Sequence, residues 1–203
     1  MRRISLYPAL LLILLIAGCS GDQDSLAPIP ADGTILAFGD SLTYGTGVSR
    51  DESYPSVLQQ LTGRKVINAG VPGEVTAEGV RRLTDLLGKH SPDLLILIHG
   101  GNDMLRKKSI DMATNNLRTM ILMAQESNVQ VIMLAVPNPT LILSPAEFYE
   151  ELANNMRVPI EVDAISDILQ YPGNKSDAIH PNAAGYRMMA ESIYELLLSR
   201  GAL

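Results

Sequence analysis

A chain of 203 residues, 46% of them hydrophobic, has room for one ordinary globular domain and a leader. Its 16 basic and 22 acidic residues give a pI near 5.0 without any basic stripe, which argues against nucleic acid as a partner. Cys19 is the single cysteine, so no intrachain disulfide can form.

Met1-Arg2-Arg3 and the apolar run that follows have the charged start and hydrophobic middle of an export signal. The unbroken apolar part, residues 9–17, is shorter than the roughly 20 residues a membrane span needs. Ile16-Ala17-Gly18-Cys19 resembles the bacterial lipobox, which implies lipidation of Cys19 as the mature N-terminus. An ordinary signal peptide that contains a cysteine, or an uncleaved anchor, is the alternative. Residues 20–32 are polar, carry two prolines and read as a tether. The predicted division is a lipoprotein signal peptide over 1–18, a lipidated N-terminus and flexible tether over 19–32, and a domain over 33–203. By analogy with known lipoproteins, Ser20 after the cysteine favours the periplasmic face of the outer membrane.

Thr34-Ile35-Leu36-Ala37-Phe38 is a short apolar run that reads as a buried strand. A helix is predicted over 53–61, with Pro55 in its first turn and Gly63 just past its end. A second strand follows at 65–68. Thr76 can cap a helix that buries Val80, Leu83 and Leu87 and stops near Gly88. Leu94-Leu95-Ile96-Leu97-Ile98 shows no alternation, as expected of a parallel strand covered on both faces. Ser109 opens the next helix, with Ile110, Ala113, Leu117, Met120, Ile121 and Ala124 inward. A fourth strand is expected over 129–136. Ser144-Pro145-Ala146-Glu147 reads as a capping box with proline at the first helical position, starting a helix to about Met156. Residues 158–162 form a short edge strand limited by Pro159. Residues 163–176 look irregular, and a last helix over 183–199 buries Tyr186, Met189, Ala190, Ile193 and Leu197. The methionines Met112, Met120, Met123, Met188 and Met189 are read as core. Alternating strands and helices predict a three-layer α/β/α sandwich on a parallel sheet.

The first strand runs into Gly39-Asp40-Ser41-Leu42, which sets a serine at the carboxyl edge of that sheet, where open α/β folds keep their ligand sites. A hydroxyl is a weak nucleophile and needs a base, an orienting carboxylate and oxyanion donors. Asp177 and His180 lie three residues apart, so one turn can set the carboxylate against one imidazole nitrogen and leave the other for the Ser41 proton. Candidate oxyanion donors are the Ser41 N–H, Gly73 in the Pro72-Gly73 turn, and the side-chain amide of Asn102 just beyond the central strand. Taken alone, Gly39-Asp40-Ser41 also reads as a strand-ending turn, with Asp40 as structural support. Asp177 and His180 could serve as two metal ligands, for which no third ligand at metal-site spacing is visible. His99 ends the central strand as a satisfied polar contact, and Asp103 reads as a loop stabiliser.

Gly39-Asp40-Ser41-Leu42, Asn68-Ala69-Gly70-Val71-Pro72-Gly73-Glu74, Gly100-Gly101-Asn102-Asp103 and Asp177-Ala178-Ile179-His180-Pro181, in this order, resemble the motif blocks of the SGNH (GDSL) hydrolases. The resemblance is nearest to the small bacterial arylesterases, thioesterases and lysophospholipases of that family. It implies a flavodoxin-like five-stranded sheet of order 2-1-3-4-5 and a catalytic Ser41, Asp177 and His180. It also assigns oxyanion roles to Gly73 and Asn102, and implies esterase chemistry without cofactor or metal. Met104 and Leu105 fall where the resembling esterases carry a mobile loop. Val136, Pro137 and Leu141 lie after the fourth strand near the same sheet edge, and all five are read as substrate-binding residues. The expected partners are a small-molecule or lipid ester and, through Cys19, a membrane; a monomer is the default. The rival readings are a carbohydrate O-acetyl esterase, weakened by the lack of tryptophan, and a non-catalytic lipoprotein that uses the scaffold for binding.

Overall fold

Five strands form one parallel sheet in the order β2-β1-β3-β4-β5, the order the family resemblance implies. The computed structural model describes residues 25–140 and 143–203; the predicted leader, Cys19 and Leu141 lie outside them. The strands are β1 (Thr34–Gly39), β2 (Lys65–Gly70), β3 (Leu94–Ile98), β4 (Gln130–Leu134) and the two-residue β5 (Ile160–Glu161). Every residue of β3 is buried, as its unbroken apolar run requires of a strand covered on both faces. The chain winds from β1 to β2 in one direction and crosses to β3 in the other. The sheet edge between β1 and β3 is therefore the switch point at which such folds open a crevice.

Helices α2 (Tyr54–Thr62) and α8 (Ala183–Ser199) pack together, as do α3 (Thr76–His90) and α5 (Ile110–Glu126). The inward residues expected of α8, Tyr186, Met189, Ala190, Ile193 and Leu197, are all buried. Two short helices, α1 (Ser41–Tyr44) and α4 (Gly101–Leu105), follow β1 and β3 directly. The remaining helices are α6 (Glu147–Met156) and α7 (Ala164–Gln170). Among the described residues, no helix is long and apolar enough to cross a membrane.

Several local expectations need correction. Ser144 and Pro145 do not start a helix. Pro145 pairs with Pro137 across an antiparallel bridge, the Ser144 carbonyl accepts from Asn138 N–H at 2.9 Å, and α6 begins only at Glu147. Thr76 is the first residue of α3 rather than its cap. Its N–H and hydroxyl both donate to Asp103, at 2.8 and 3.0 Å, so a distant carboxylate covers that helix end. The same helix runs past Gly88 to His90. The stretch expected to be irregular holds α7, which buries Ile165, Ile168 and Leu169. Met112 and Met188 face solvent, and Ile110, in the first turn of α5, is also exposed.

The described end of the expected tether is not free. Leu26 and Ile29 donate their N–H groups to the carbonyls of Arg200 and Ala202, each at 2.8 Å, and Ile29 is buried. Gln130, at the start of β4, exchanges two side-chain hydrogen bonds with Ala27. Ile29, with Leu26 packed beside it, and the paired backbone groups, among them the Ile29 carbonyl that accepts from Arg64, dock this proline-bearing segment on the amino edge of the sheet.

Candidate active site

Ser41 opens α1 immediately after β1, at the switch point. The strands approach closely there because residue 39 is glycine; a methyl at Gly39 would collide with the Ile98 carbonyl of β3. Asp40 is buried and caps α1, accepting from the Leu42 N–H at 3.1 Å. Its other oxygen accepts from Asn102 Nδ2 at 3.0 Å. That bond fixes the rotamer of Asn102 and occupies one of its two amide protons, leaving the second for the cleft. Burial pushes the Asp40 carboxyl above its ordinary range, against the opposing pull of His99, the Leu42 N–H, His180 and Asn102.

Residues 175–182 form a loop between α7 and α8, closed by a bridge between Lys175 and Pro181. Asp177 Oδ1 accepts the N–H groups of Ile179 and His180, both at 2.9 Å, the local turn that a short polar side chain favours. This turn carries Oδ2 to 2.7 Å from His180 Nδ1. The other ring nitrogen, Nε2, lies 3.0 Å from Ser41 Oγ, across 139 residues of sequence. Burial works to raise the Asp177 carboxyl, but the bonds from the His180 ring and from the two N–H groups outweigh it and hold the group below its ordinary range.

Gly73 lies in a turn closed by Glu74 N–H donating to the Val71 carbonyl at 3.1 Å. Its φ of +79° follows Pro72, the pairing a type II turn requires. The turn's own bond uses the Glu74 N–H and not that of Gly73. Val71 N–H ties the turn to the last carbonyl of β1, that of Gly39, at 3.1 Å, and Arg106 donates to the Gly73 carbonyl at 2.7 Å.

Ser41, Asn102, His180, Leu105, Val136 and Pro137 share one open cleft of about 510 Å³, mouth included. Its apolar wall also takes in Leu143, Leu169 and Ile179. Met104 does not belong to it. On the five-residue helix α4 a step of one position turns a side chain by roughly 100°. Met104 therefore enters the core while Leu105 faces the cleft. Leu169 escaped the sequence reading because α7 did, and Ile179 because it sits inside the motif block whose polar ends draw attention. His99 stands away from the cleft, fully buried, with Nε2 3.0 Å from Glu74 Oε2. Among the described residues, no group of three His, Cys, Asp or Glu side chains could hold a metal ion.

The carboxylate–imidazole–hydroxyl chain at the switch point of a 2-1-3-4-5 sheet is the arrangement of a serine hydrolase. A profile of the GDSL-like lipase/acylhydrolase family matches residues 37–188, and the chain belongs to that family of ester-cleaving hydrolases. It is 30% identical over 178 residues to an arylesterase of Vibrio mimicus, covering 81% of this chain and 88% of the relative. It is 27% identical over 166 residues to thioesterase 1/protease 1/lysophospholipase L1 of Escherichia coli (strain K12), covering 78% and 80% of the two chains. Among solved structures, the crystal structure of TesA superposes with a TM-score of 0.75 at 24% identity, over 82% of this chain and 99% of that one. AlinE4, described as an SGNH-hydrolase family esterase, superposes with a TM-score of 0.65 at 28% identity, over 83% and 96%.

Proposed function

We propose that the protein is a serine esterase that hydrolyses carboxylic esters of medium-chain acyl groups through a covalent acyl-enzyme on Ser41. The observation that carries this reading is the unbroken chain of 2.7 and 3.0 Å from Asp177 through His180 to Ser41 at the cleft floor. In the first step Ser41 Oγ attacks the ester carbonyl carbon while its proton passes to His180 Nε2. Asp177, accepting from Nδ1–H, fixes the tautomer and stabilises the imidazolium. The carbonyl oxygen becomes an oxyanion and meets the N–H groups of Ser41 and Gly73 and the free amide proton of Asn102. Collapse of the intermediate expels the alcohol, which takes the proton from His180. Water, deprotonated by the same nitrogen, then releases the acid and restores Ser41.

The acyl preference follows from the wall of Leu105, Val136, Pro137, Leu143, Leu169 and Ile179, which offers a hydrocarbon chain an apolar surface and little to a sugar. Hydrolysis of p-nitrophenyl esters from acetyl to palmitoyl, run beside Ser41→Ala, tests the reading. Full activity in Ser41→Ala would end it. Ready labelling of Ser41 by a fluorophosphonate separates the enzyme from a binding protein on the same scaffold. Release of acetate from acetylated glycans, with decline of activity from the acetyl ester upward, would transfer the assignment to a carbohydrate O-acetyl esterase.

The sequence Ile16-Ala17-Gly18-Cys19 supports export as a lipoprotein anchored at Cys19, and Ser20 supports the outer membrane as its destination. Mass spectrometry of the mature N-terminus tests this, and an unmodified Cys19 would refute it. An exported enzyme meets lipid-derived or exogenous esters rather than cytosolic acyl-CoA, so thioester cleavage is expected to be incidental.

A further inference from the structure

Behind the oxyanion turn lies a second carboxylate–histidine pair that the catalytic scheme does not use. Glu74, the residue after Gly73, is 6% exposed and takes both arms of Arg82, Nε to Oε1 and Nη2 to Oε2, each at 2.6 Å. Its Oε2 also lies 3.0 Å from Nε2 of His99, which is 0% exposed. The Gly100 N–H donates to His99 Nδ1 at 3.0 Å, so the ring proton sits on Nε2 and points at Glu74. Arg82 reaches further and donates to the carbonyl of Gly39, two residues before the nucleophile, at 3.1 Å, with its guanidinium over the Phe38 ring.

This cluster is expensive, because buried charge must be fully paired to be tolerated. Helix α3 also carries a glycine in its interior, Gly79, where a methyl would stand 2.8 Å from His99 Nε2. Glycine is a poor helix former, and here it leaves the room that the buried ring occupies. The cluster ties together three segments: the turn with Gly73 through Glu74, the end of β1 before Ser41 through Arg82, and the end of β3 two to three residues before Asn102 through His99. These segments carry the three oxyanion donors of the proposed catalytic scheme.

We propose that Glu74 is a positioning residue whose bonds to Arg82 and His99 set the Gly73 N–H against the nucleophile strand, so that oxyanion stabilisation depends on it. The inference rests on the acyl-enzyme reading given above. An anchor of this kind acts on the geometry that matters only when charge develops on the oxygen, so its loss is felt in the transition state and not in ground-state binding.

The test is Glu74→Gln, which keeps the shape and removes the charge that holds Arg82 and His99 together. With a p-nitrophenyl ester, kcat is expected to fall roughly tenfold or more while KM stays within about twofold. The affinity for an alkyl trifluoromethyl ketone, which forms an anionic hemiketal on the serine, should fall in parallel with kcat. A purely structural role would lower the melting temperature and leave both ratios alone. Values of kcat and ketone affinity within about twofold of wild type, or a loss lying wholly in KM, overturn the proposal. Should Glu74→Gln not fold, the same measurements on His99→Gln decide it by the same criteria. Failure of the underlying hydrolase reading is recognised separately, by a wild type that neither turns over esters nor binds the ketone.

Discussion

Among the described residues stand two carboxylate–histidine pairs, and their contrast explains which of them can do chemistry. Asp177 and His180 sit on a loop, the carboxylate 52% and the ring 13% exposed, joined at 2.7 Å. Glu74 and His99 sit in the core at 3.0 Å. The carboxylate contact is similar in the two. What differs is the far ring nitrogen: that of His180 faces a hydroxyl in an open cleft, whereas that of His99 faces a backbone N–H. A base needs a proton to take and somewhere to swing a charge; His99 has neither. A histidine beside an acid is therefore not the signature of catalysis until its second nitrogen is accounted for.

The largest effect should come from breaking the exposed pair's link to the nucleophile. Ser41→Ala and His180→Ala should each lower kcat by roughly 10⁴ or more, and the double variant little further, because the groups act as a unit. Additive losses, seen in a double-mutant cycle, would mean that His180 serves some other step. Next in size is Asn102→Ala, expected to reduce kcat by roughly 10²–10³ with KM nearly unchanged. A loss carried by KM would make Asn102 a substrate-binding residue instead. Smaller again is the effect of the apolar wall. Each methylene buried there is worth up to about 0.8 kcal/mol, close to fourfold in kcat/KM, and the gain should end at an acyl chain of roughly six to ten carbons. Leu143→Ala should flatten that slope without altering turnover of the acetyl ester.

The smallest effect sharpens the contrast through acid stability. Burial raises the Glu74 carboxyl, but the bonds from His99 and Arg82 more than reverse this, so its folded value lies below the ordinary range. The unfolded chain is then protonated first as pH falls. Its contribution is whole above the ordinary glutamate range and disappears as pH drops through the lowered folded value. Asp177 follows the same sign, screened by its exposure, while Asp40, raised by burial, has the opposite sign. Melting temperature measured from neutral pH downward should therefore fall less steeply in Glu74→Gln than in wild type, and Asp177→Asn should change the slope less. Equal slopes in wild type and Glu74→Gln would mean that the buried pair contributes nothing to acid sensitivity.

How much of this could be read from the chain depended on the range of the forces involved. Strand β3 was legible because burial on both faces writes itself as five consecutive apolar residues. The Asp177 turn was legible because a three-residue spacing closes on itself. The two halves of the site could be linked in sequence only by resemblance, since nothing local joins residue 41 to residue 180. The misreadings at Thr76 and Pro145 have one origin: a local signal met a stronger distant partner, Asp103 in one case and Pro137 in the other. Glu74 and Arg82 had no local signal, being eight residues apart on a turn and a helix whose relative angle only the packed sheet decides.

The docking of residues 26–29 against Arg200 and Ala202 gives the domain a polarity with respect to whatever precedes it. The polypeptide enters at the amino edge of the sheet, beside the start of β4, and the cleft opens at the carboxyl edge. For a chain held at Cys19, residues 19–24 can span at most roughly 20 Å. On the proposed anchoring at Cys19, so short a leash would hold the amino edge close to the bilayer and turn the mouth of the cleft outward. In that posture the enzyme would fish in the aqueous compartment in front of it.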